Sequence, residues 1–260
     1  IYGMWGTDKL NVYSVGAKGS VFAWAGNGWT QQANFTQEDL HGVHGLGANE
    51  VWAVGNQGAI GRFDGIKWAT VPVLETSNYL KNANFKSVFV VDSGTQGKPD
   101  VWLAGQQGIF KYGDYAGSLG VKRFQPYVPI NAWAIHGADK NNIWAVGYTG
   151  RIVYYNGQVW QQQQSGTSIA LRGVWAHSAK AAWAVGEAGQ ILHWTGLGWI
   201  AQKSPTIETL QDVWGTSEKD VWAVGSGGTV VHYDGSKWKK IKLKELHKSL
   251  HAAWSTKAGD

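Results

Sequence analysis

Apolar residues in this chain gather in short runs bounded by glycine, and one run recurs. It reads NVYSVG at 11–16, EVWAVG at 50–55, DVWLAG at 100–105, NIWAVG at 142–147, AAWAVG at 181–186 and DVWAVG at 220–225. Its aromatic falls at Tyr13, Trp52, Trp102, Trp144, Trp183 and Trp222, at spacings of 39, 50, 42, 39 and 39. A strand with one wet face alternates apolar and polar residues. A continuous apolar strand is covered on both faces. Each run therefore predicts a strand b packed between two neighbours.

The surroundings of the run repeat as well. Before it comes a strand a of the pattern LxxVWG, as in LQDVWG at 210–215. After it comes a glycine-flanked turn, GNQG at 55–58 or GEAG at 186–189, and then a strand c of the pattern GxIxxY. A second turn carries Asp64-Gly65, Asn156-Gly157 or Asp234-Gly235, a hairpin signal in which both residues are expected at positive φ. Strand d then opens on Trp. No segment reads as a helix. Four short antiparallel strands in about 39 residues, repeated, predict an all-β fold, a β-propeller of four-stranded blades. We expect one domain over residues 1–260.

Strand a occurs seven times, centred on Trp5, His44, Phe89, His136, Trp175, Trp214 and Trp254, whereas strands b, c and d occur six times. The expectation is six complete blades plus the first strand of a seventh, LHAAWSTKAGD, in a seven-bladed architecture. Blade seven would be completed by further natural chain or by another polypeptide segment. The start at Ile1 rather than Met reads as a mature or trimmed form.

Composition changes this picture little. Of 17 Trp, 16 fall on repeat positions and are expected to fill the wedges between blades. The exception is Trp133. Net charge is +5, yet residues 237–248, KWKKIKLKELHK, hold six Lys and one Glu, and the remainder balances at 17 basic and 17 acidic residues. This Lys237–Lys248 segment reads as a solvated edge strand, since edge lysines block strand-to-strand aggregation. The lysine patch is the sole feature favouring nucleic acid, so no nucleic-acid partner is expected. No apolar run has the length of a membrane span, and no leader pattern is visible. There is no Cys, hence no disulfide. Abundant Trp, Gly and Gln with few charges suggest a bacterial extracellular or periplasmic protein.

The turns in YDGSKW, FDGIKW and YNGQVW resemble a shortened Asp-box of neuraminidase-type repeats, one residue shorter between Asp and Trp and without the serine. The unit VWAVGxxGxIxxYDGxxW is also similar to Trp-rich propeller repeats of secreted bacterial proteins and of the photosystem assembly factor family. The resemblance implies the propeller fold. In Asp-box repeats the motif is a structural turn, so Asp64 and Asp234 inherit no catalytic role from it.

One position supplies the candidate site. Three residues before each strand a centre stand Tyr2, His41, Lys86, Trp133, Arg172, Gln211 and His251. With strand a innermost, these seven are expected to ring one mouth of a central channel, on the face carrying the b–c and d–a loops. Arg, Lys, His, Tyr, Gln and Trp suit an anionic or sugar-like ligand. The longest d–a connection, 69–84, with Glu75 and Tyr79, is expected on the same face.

The chemistry needed for catalysis is sparse. A sialidase-like glycoside hydrolase needs an arginine cluster, a tyrosine nucleophile and acidic partners. The ring offers one Arg and no carboxylate, and Glu187 and Glu75 are isolated. His44 and His136 stand two blades apart, His193 and His232 on neighbouring strand c positions, and no metal or other cofactor is expected. The function read from the sequence is non-enzymatic: a binding or scaffold propeller that recognises a protein partner, with a carbohydrate-binding lectin as the alternative and a hydrolase as a distant third.

Overall fold

A computed structural model describes residues 1–74, 82–95, 98–124, 129–243 and 247–256. The chain forms six four-stranded antiparallel sheets and has the β-propeller fold. It divides into two compact units, Ile1–Ala132 and Trp133–Asp260. No helix is long and apolar enough to cross a membrane among the described residues.

Unit one holds three blades. Blade one is β1 Gly3–Asp8, β2 Asn11–Val15, β3 Val21–Trp24 and β4 Trp29–Gln31; blade two is β5 Leu40–Gly47, β6 Glu50–Gly55, β7 Ile60–Phe63 and β8 Trp68–Thr70. Blade three is longer, with β9 Phe85–Thr95, β10 Lys98–Gly105, β11 Gly108–Tyr115 and β12 Ser118–Arg123. Unit two holds β13 Ala132–Asp139, β14 Asn142–Gly147, β15 Ile152–Tyr155 and β16 Trp160–Gln163 as blade four, with β17 Leu171–Ser178, β18 Ala181–Gly186, β19 Ile191–Trp194 and β20 Trp199–Ala201 as blade five. Blade six is β21 Leu210–Ser217, β22 Asp220–Gly225, β23 Val230–Tyr233 and β24 Trp238–Ile241.

The core lies between blades, as the two-faced apolar strands require. Trp52, Val54 and Ile60 of blade two pack with Phe85, Val88 and Leu103 of blade three. Trp144 and Ile152 of blade four meet Leu171, Val174 and Leu192 of blade five. Trp183 and Ile191 of blade five meet Leu210, Val213 and Trp238 of blade six. Trp52, Trp102, Trp144 and Trp183 are among the largest fully buried side chains. An aromatic that removes about 200 Å² from water contributes roughly 5 kcal/mol before entropy is counted. The strand d tryptophans are less uniform: Trp199 and Trp238 are buried, while Trp29 is 46% exposed.

Within each unit, strand a of one blade runs beside strand a of the next, β1 by β5, β5 by β9 and β17 by β21. A Cβ on Gly42 would come within 2.9 Å of the Ser87 Cα, and one on Gly173 within 2.9 Å of the Asp212 Cα. These approaches need a bare backbone.

Two readings are corrected. The Asp-Gly turns are not two-residue hairpins with both residues at positive φ. Gly65, Gly157 and Gly235 have φ of +93°, +90° and +87°, but Asp64, Asn156 and Asp234 are not in the left-handed region. The first residue instead closes an Asx turn: Asp64 Oδ1 accepts from the Ile66 and Lys67 amides at 2.9 Å each, and Asp234 Oδ1 from those of Ser236 and Lys237 at 3.0 Å each. Binding the carboxylate locally removes the need for a second positive φ. These amide bonds hold both carboxyls below the usual carboxylate range, with Lys239 leading for Asp234.

The second correction concerns blade seven. The expected first strand of a seventh blade is not formed: among the described residues, 250–256 belong to no strand. This segment is held onto blade six instead. Ala253 N donates to Asp212 Oδ2 at 2.9 Å, Trp214 Nε1 to the Ser255 carbonyl at 3.0 Å, and Leu250 N to the Gly225 carbonyl at 3.0 Å. In the basic segment, β24 covers only Trp238–Ile241, and Lys239 pairs with Asp234 at 2.6 Å.

One buried hydroxyl offers a repair. Ser14 is fully buried and its Oγ has no partner among the described residues. The equivalent residue is alanine in four of the other five copies. Ser14→Ala is expected to stabilise the protein by about 1 kcal/mol, because an unpaired buried hydroxyl forfeits its hydration. A urea melt showing a lower midpoint for the variant would contradict this.

Candidate functional site

The seven predicted positions separate into groups within the two units. In unit one, Tyr2, His41 and Lys86 form a contiguous cluster. The rings of Tyr2 and His41 lie 5.4 Å apart. Lys86 Nζ is 3.1 Å from His41 Nε2 and donates to Asn56 Oδ1 at 3.5 Å, while His41 Nε2 stands 2.9 Å from the same Asn56 oxygen. Asn56 is fixed by its own amide, which donates to the Asp39 carbonyl at 2.9 Å.

The electrostatics follow from crowding. Burial lowers the His41 pKa, and the neighbouring Lys86 charge lowers it further, against the opposing pull of Asn56 and Asp39. Burial also lowers the Lys86 pKa, opposed by Asp39. Two cationic groups in contact cannot both be charged cheaply, so His41 is the neutral partner. The cluster offers one cation, one imidazole and one phenol to a ligand.

In unit two, Arg172 lies over the Trp133 ring, its guanidinium carbon 4.1 Å from the centroid. It also pairs with Glu187 through Nη2 and Oε1. Tyr148 packs against Trp133, with ring centroids 5.4 Å apart. The arginine is thereby held flat against an indole by a carboxylate, a rigid presentation of a planar cation. Gln211 stands partly exposed at the start of β21, and His251 is exposed. Glu75 and Tyr79 lie outside the described residues.

Sequence reasoning missed Asn56 and Tyr148 as members, and it read Glu187 as isolated, whereas Glu187 pairs with Arg172. All three occupy the first position of the b–c turn, fifteen residues after the matching strand a position: 41 to 56, 133 to 148, 172 to 187. That constant offset was the available signal. The turn reaches strand a because its first amide is tied to the d–a linker, Glu187 N to the Ala170 carbonyl at 3.0 Å and Ser226 N to the Thr209 carbonyl at 2.9 Å.

His44 and His136 have structural tasks. His44 Nδ1 accepts from Val90 N and His136 Nδ1 from Ala176 N, each at 3.2 Å, both reaching the next blade's strand a. At these two strand a centres a histidine thus stitches two blades by a hydrogen bond. Burial pushes the His136 pKa down to about 3, so it is a neutral acceptor. Among the described residues no group of three His, Cys, Asp or Glu side chains could hold a metal ion.

No family model matches the chain, and no curated protein does. Solved structures share the fold. The chain is similar to "YCF48 bound to D1 peptide" at 16% identity, TM-score 0.69, covering 91% of this chain and 79% of that one. It is similar to the WD40 β-propeller domain of Doa1 at 15% identity and TM-score 0.72, over 97% and 84%. It is likewise similar to virginiamycin B lyase from Staphylococcus aureus at 15% identity and TM-score 0.74, over 94% and 84%. At such identities the likeness is one of fold.

Proposed function

We infer that this chain is a non-enzymatic binding propeller, a single domain of bacterial extracytoplasmic origin, that recognises a protein partner through its strand a starts and b–c turns. The observation that carries the reading is Arg172, stacked on Trp133 and fixed by Glu187. A pre-ordered planar cation on an aromatic suits carboxylate or backbone carbonyl groups of a peptide. Lys86 and His41 offer a second polar contact of the same kind in unit one. A propeller of this fold has been captured with a peptide, in YCF48 with D1, which supports a protein partner as the leading class.

Two other readings have specific observations behind them. An indole beside polar groups suits sugar stacking, which keeps the lectin second. Arg172, Glu187 and Tyr148 gathered about Trp133 resemble in kind the groups of a sialidase-like hydrolase, but with a single arginine and with Glu187 already paired.

The test is selection of a displayed peptide library on the immobilised protein, with a glycan array and a chromogenic glycoside assay in parallel. Enriched peptides whose affinity falls about tenfold or more in Arg172→Ala, at unchanged thermal midpoint, are the expected result. Glycan binding lost in Trp133→Ala would make the protein a lectin. Glycoside turnover abolished in Glu187→Gln would make it an enzyme.

A further inference from the structure

The residue that opens strand b, just ahead of the apolar run, has a repeated task. In blade two, Glu50 accepts from Trp52 Nε1 at 2.7 Å and from Arg62 of strand c at 2.6 and 2.9 Å. In blade six, Asp220 Oδ1 accepts from Trp222 Nε1 at 3.1 Å and stands 2.7 Å from His232 Nε2. In blade four, Asn142 Oδ1 accepts from Tyr154 at 2.5 Å, and in blade three Asp100 pairs with Lys111 at 2.9 Å. An acceptor at this corner serves a strand c donor in each of these blades, and in blades two and six it serves the strand b indole as well.

Blade five keeps the donors and lacks the acceptor. His193 stacks on Trp183 with centroids 4.4 Å apart and planes at 19°, the same pair that His232 and Trp222 make at 4.0 Å and 21°. The corner residue is Ala181. Trp183 is 1% exposed. Both Trp183 Nε1 and His193 Nε2 are buried with no hydrogen-bond partner among the described residues. Two buried donors converging on a missing acceptor each forfeit their hydration. Such groups call for an explanation.

We propose that this corner of blade five is a carboxylate-binding site, where an external carboxylate sits as the Asp220 carboxylate does in blade six and takes hydrogen bonds from Trp183 Nε1 and His193 Nε2. The class is the carboxylate, from a small free acid or from an Asp or Glu side chain of a partner protein. The site is independent of the Arg172 and Lys86 clusters. One competitor is already present: Glu218 of the neighbouring blade carries a charge felt by His193 and accepts from Ser178 Oγ at 3.4 Å, but does not bond to His193. Burial otherwise lowers the His193 pKa, and an arriving carboxylate raises it.

The experiment follows the Trp183 indole and His193 ring resonances by NMR during a titration with formate at constant ionic strength. Saturable shifts of both, with a dissociation constant on the order of 10 mM for so small a ligand, and a rise in the His193 pKa are expected. Ala181→Asp supplies the acceptor internally and abolishes the response. Asp220→Ala creates a second site, reported by Trp222 and His232. If the intact site responds to formate and to N-acetyl-aspartate amide, but not to N-acetyl-asparagine amide, a partner side chain is accommodated; response to formate alone limits it to a small acid. Resonances that ignore formate in the wild type overturn the proposal. So does a wild type blind to formate in which Glu218→Gln moves the His193 signal, since Glu218 then fills the corner itself.

Discussion

Replacing His136 with asparagine is expected to make stability fall with rising pH, relative to the wild type, between about pH 4 and 6.5, and replacing Asp212 with asparagine is expected to do the reverse. The two side chains lie in the same unit and carry opposite burdens. His136 is partly buried as the neutral acceptor of the Ala176 amide, and desolvation drops its pKa from 6.5 to about 3. The unfolded chain binds the proton in that window and the folded one does not. Its contribution is therefore complete above pH 6.5 and is lost as pH falls towards 3.

Asp212 runs the other way. Burial pushes its carboxyl from 3.8 up to about 7, against the two amides of Val213 and Ala253 that favour the charge. The folded chain holds the proton between those values, so stability is highest below 3.8 and declines as pH rises through 7. Over the shared window the two slopes oppose, each bounded by about 1.4 kcal/mol per pH unit. Asparagine keeps an oxygen for one amide partner at either position and removes the titration. The measurement is the difference in unfolding free energy from urea melts at a series of pH values. Curves for both variants parallel to the wild type would show that neither group titrates as described.

Gly186→Ala and Gly189→Ala are each expected to destabilise blade five by about 3 kcal/mol or more, although the added atom is a single methyl. The causes differ. Gly186 has an extended backbone, φ −167°, that any residue adopts. Its difficulty is space, because a Cβ there would overlap the Ala170 carbonyl that receives the Glu187 amide. Gly189 sits at φ +69° and would also overlap the Thr206 carbonyl. Gly198, with nothing within 4 Å of its added Cβ, is the control, and Gly198→Ala is expected to change stability by less than about 1 kcal/mol. Urea melts in which Gly186→Ala matches Gly198→Ala would refute the packing described for this turn.

These glycines mark how far the sequence could be read. Their recurrence and their place beside the b–c turn were visible in the repeat. That the first is needed for a linker carbonyl crossing its face was not, since a close approach of two backbones leaves no trace in residue type beyond the glycine itself. The Asp-Gly turns were located correctly and given the wrong geometry, because an Asx turn and a two-residue hairpin use the same residues. Five of the candidate positions, His41, Lys86, Trp133, Arg172 and Gln211, lie on strand a. Their partners Asn56, Tyr148 and Glu187 come from a different loop, and the fifteen-residue offset acquires meaning only once strand b is known to return the chain to the start of strand a.

The amino-acid sequence by itself determined the blade: the four-strand unit and the burial of strand b on both faces. Those properties follow from local periodicity and from side chains too apolar to face water. Tertiary structure decided which polar groups meet. It set Arg172 on Trp133, placed His136 against the next blade's amide, and left Trp183 and His193 facing Ala181. Hydrogen bonds and ion pairs need donor and acceptor about 3 Å apart to within a few tenths of an ångström, across segments distant in the chain, and only the packed chain fixes those distances.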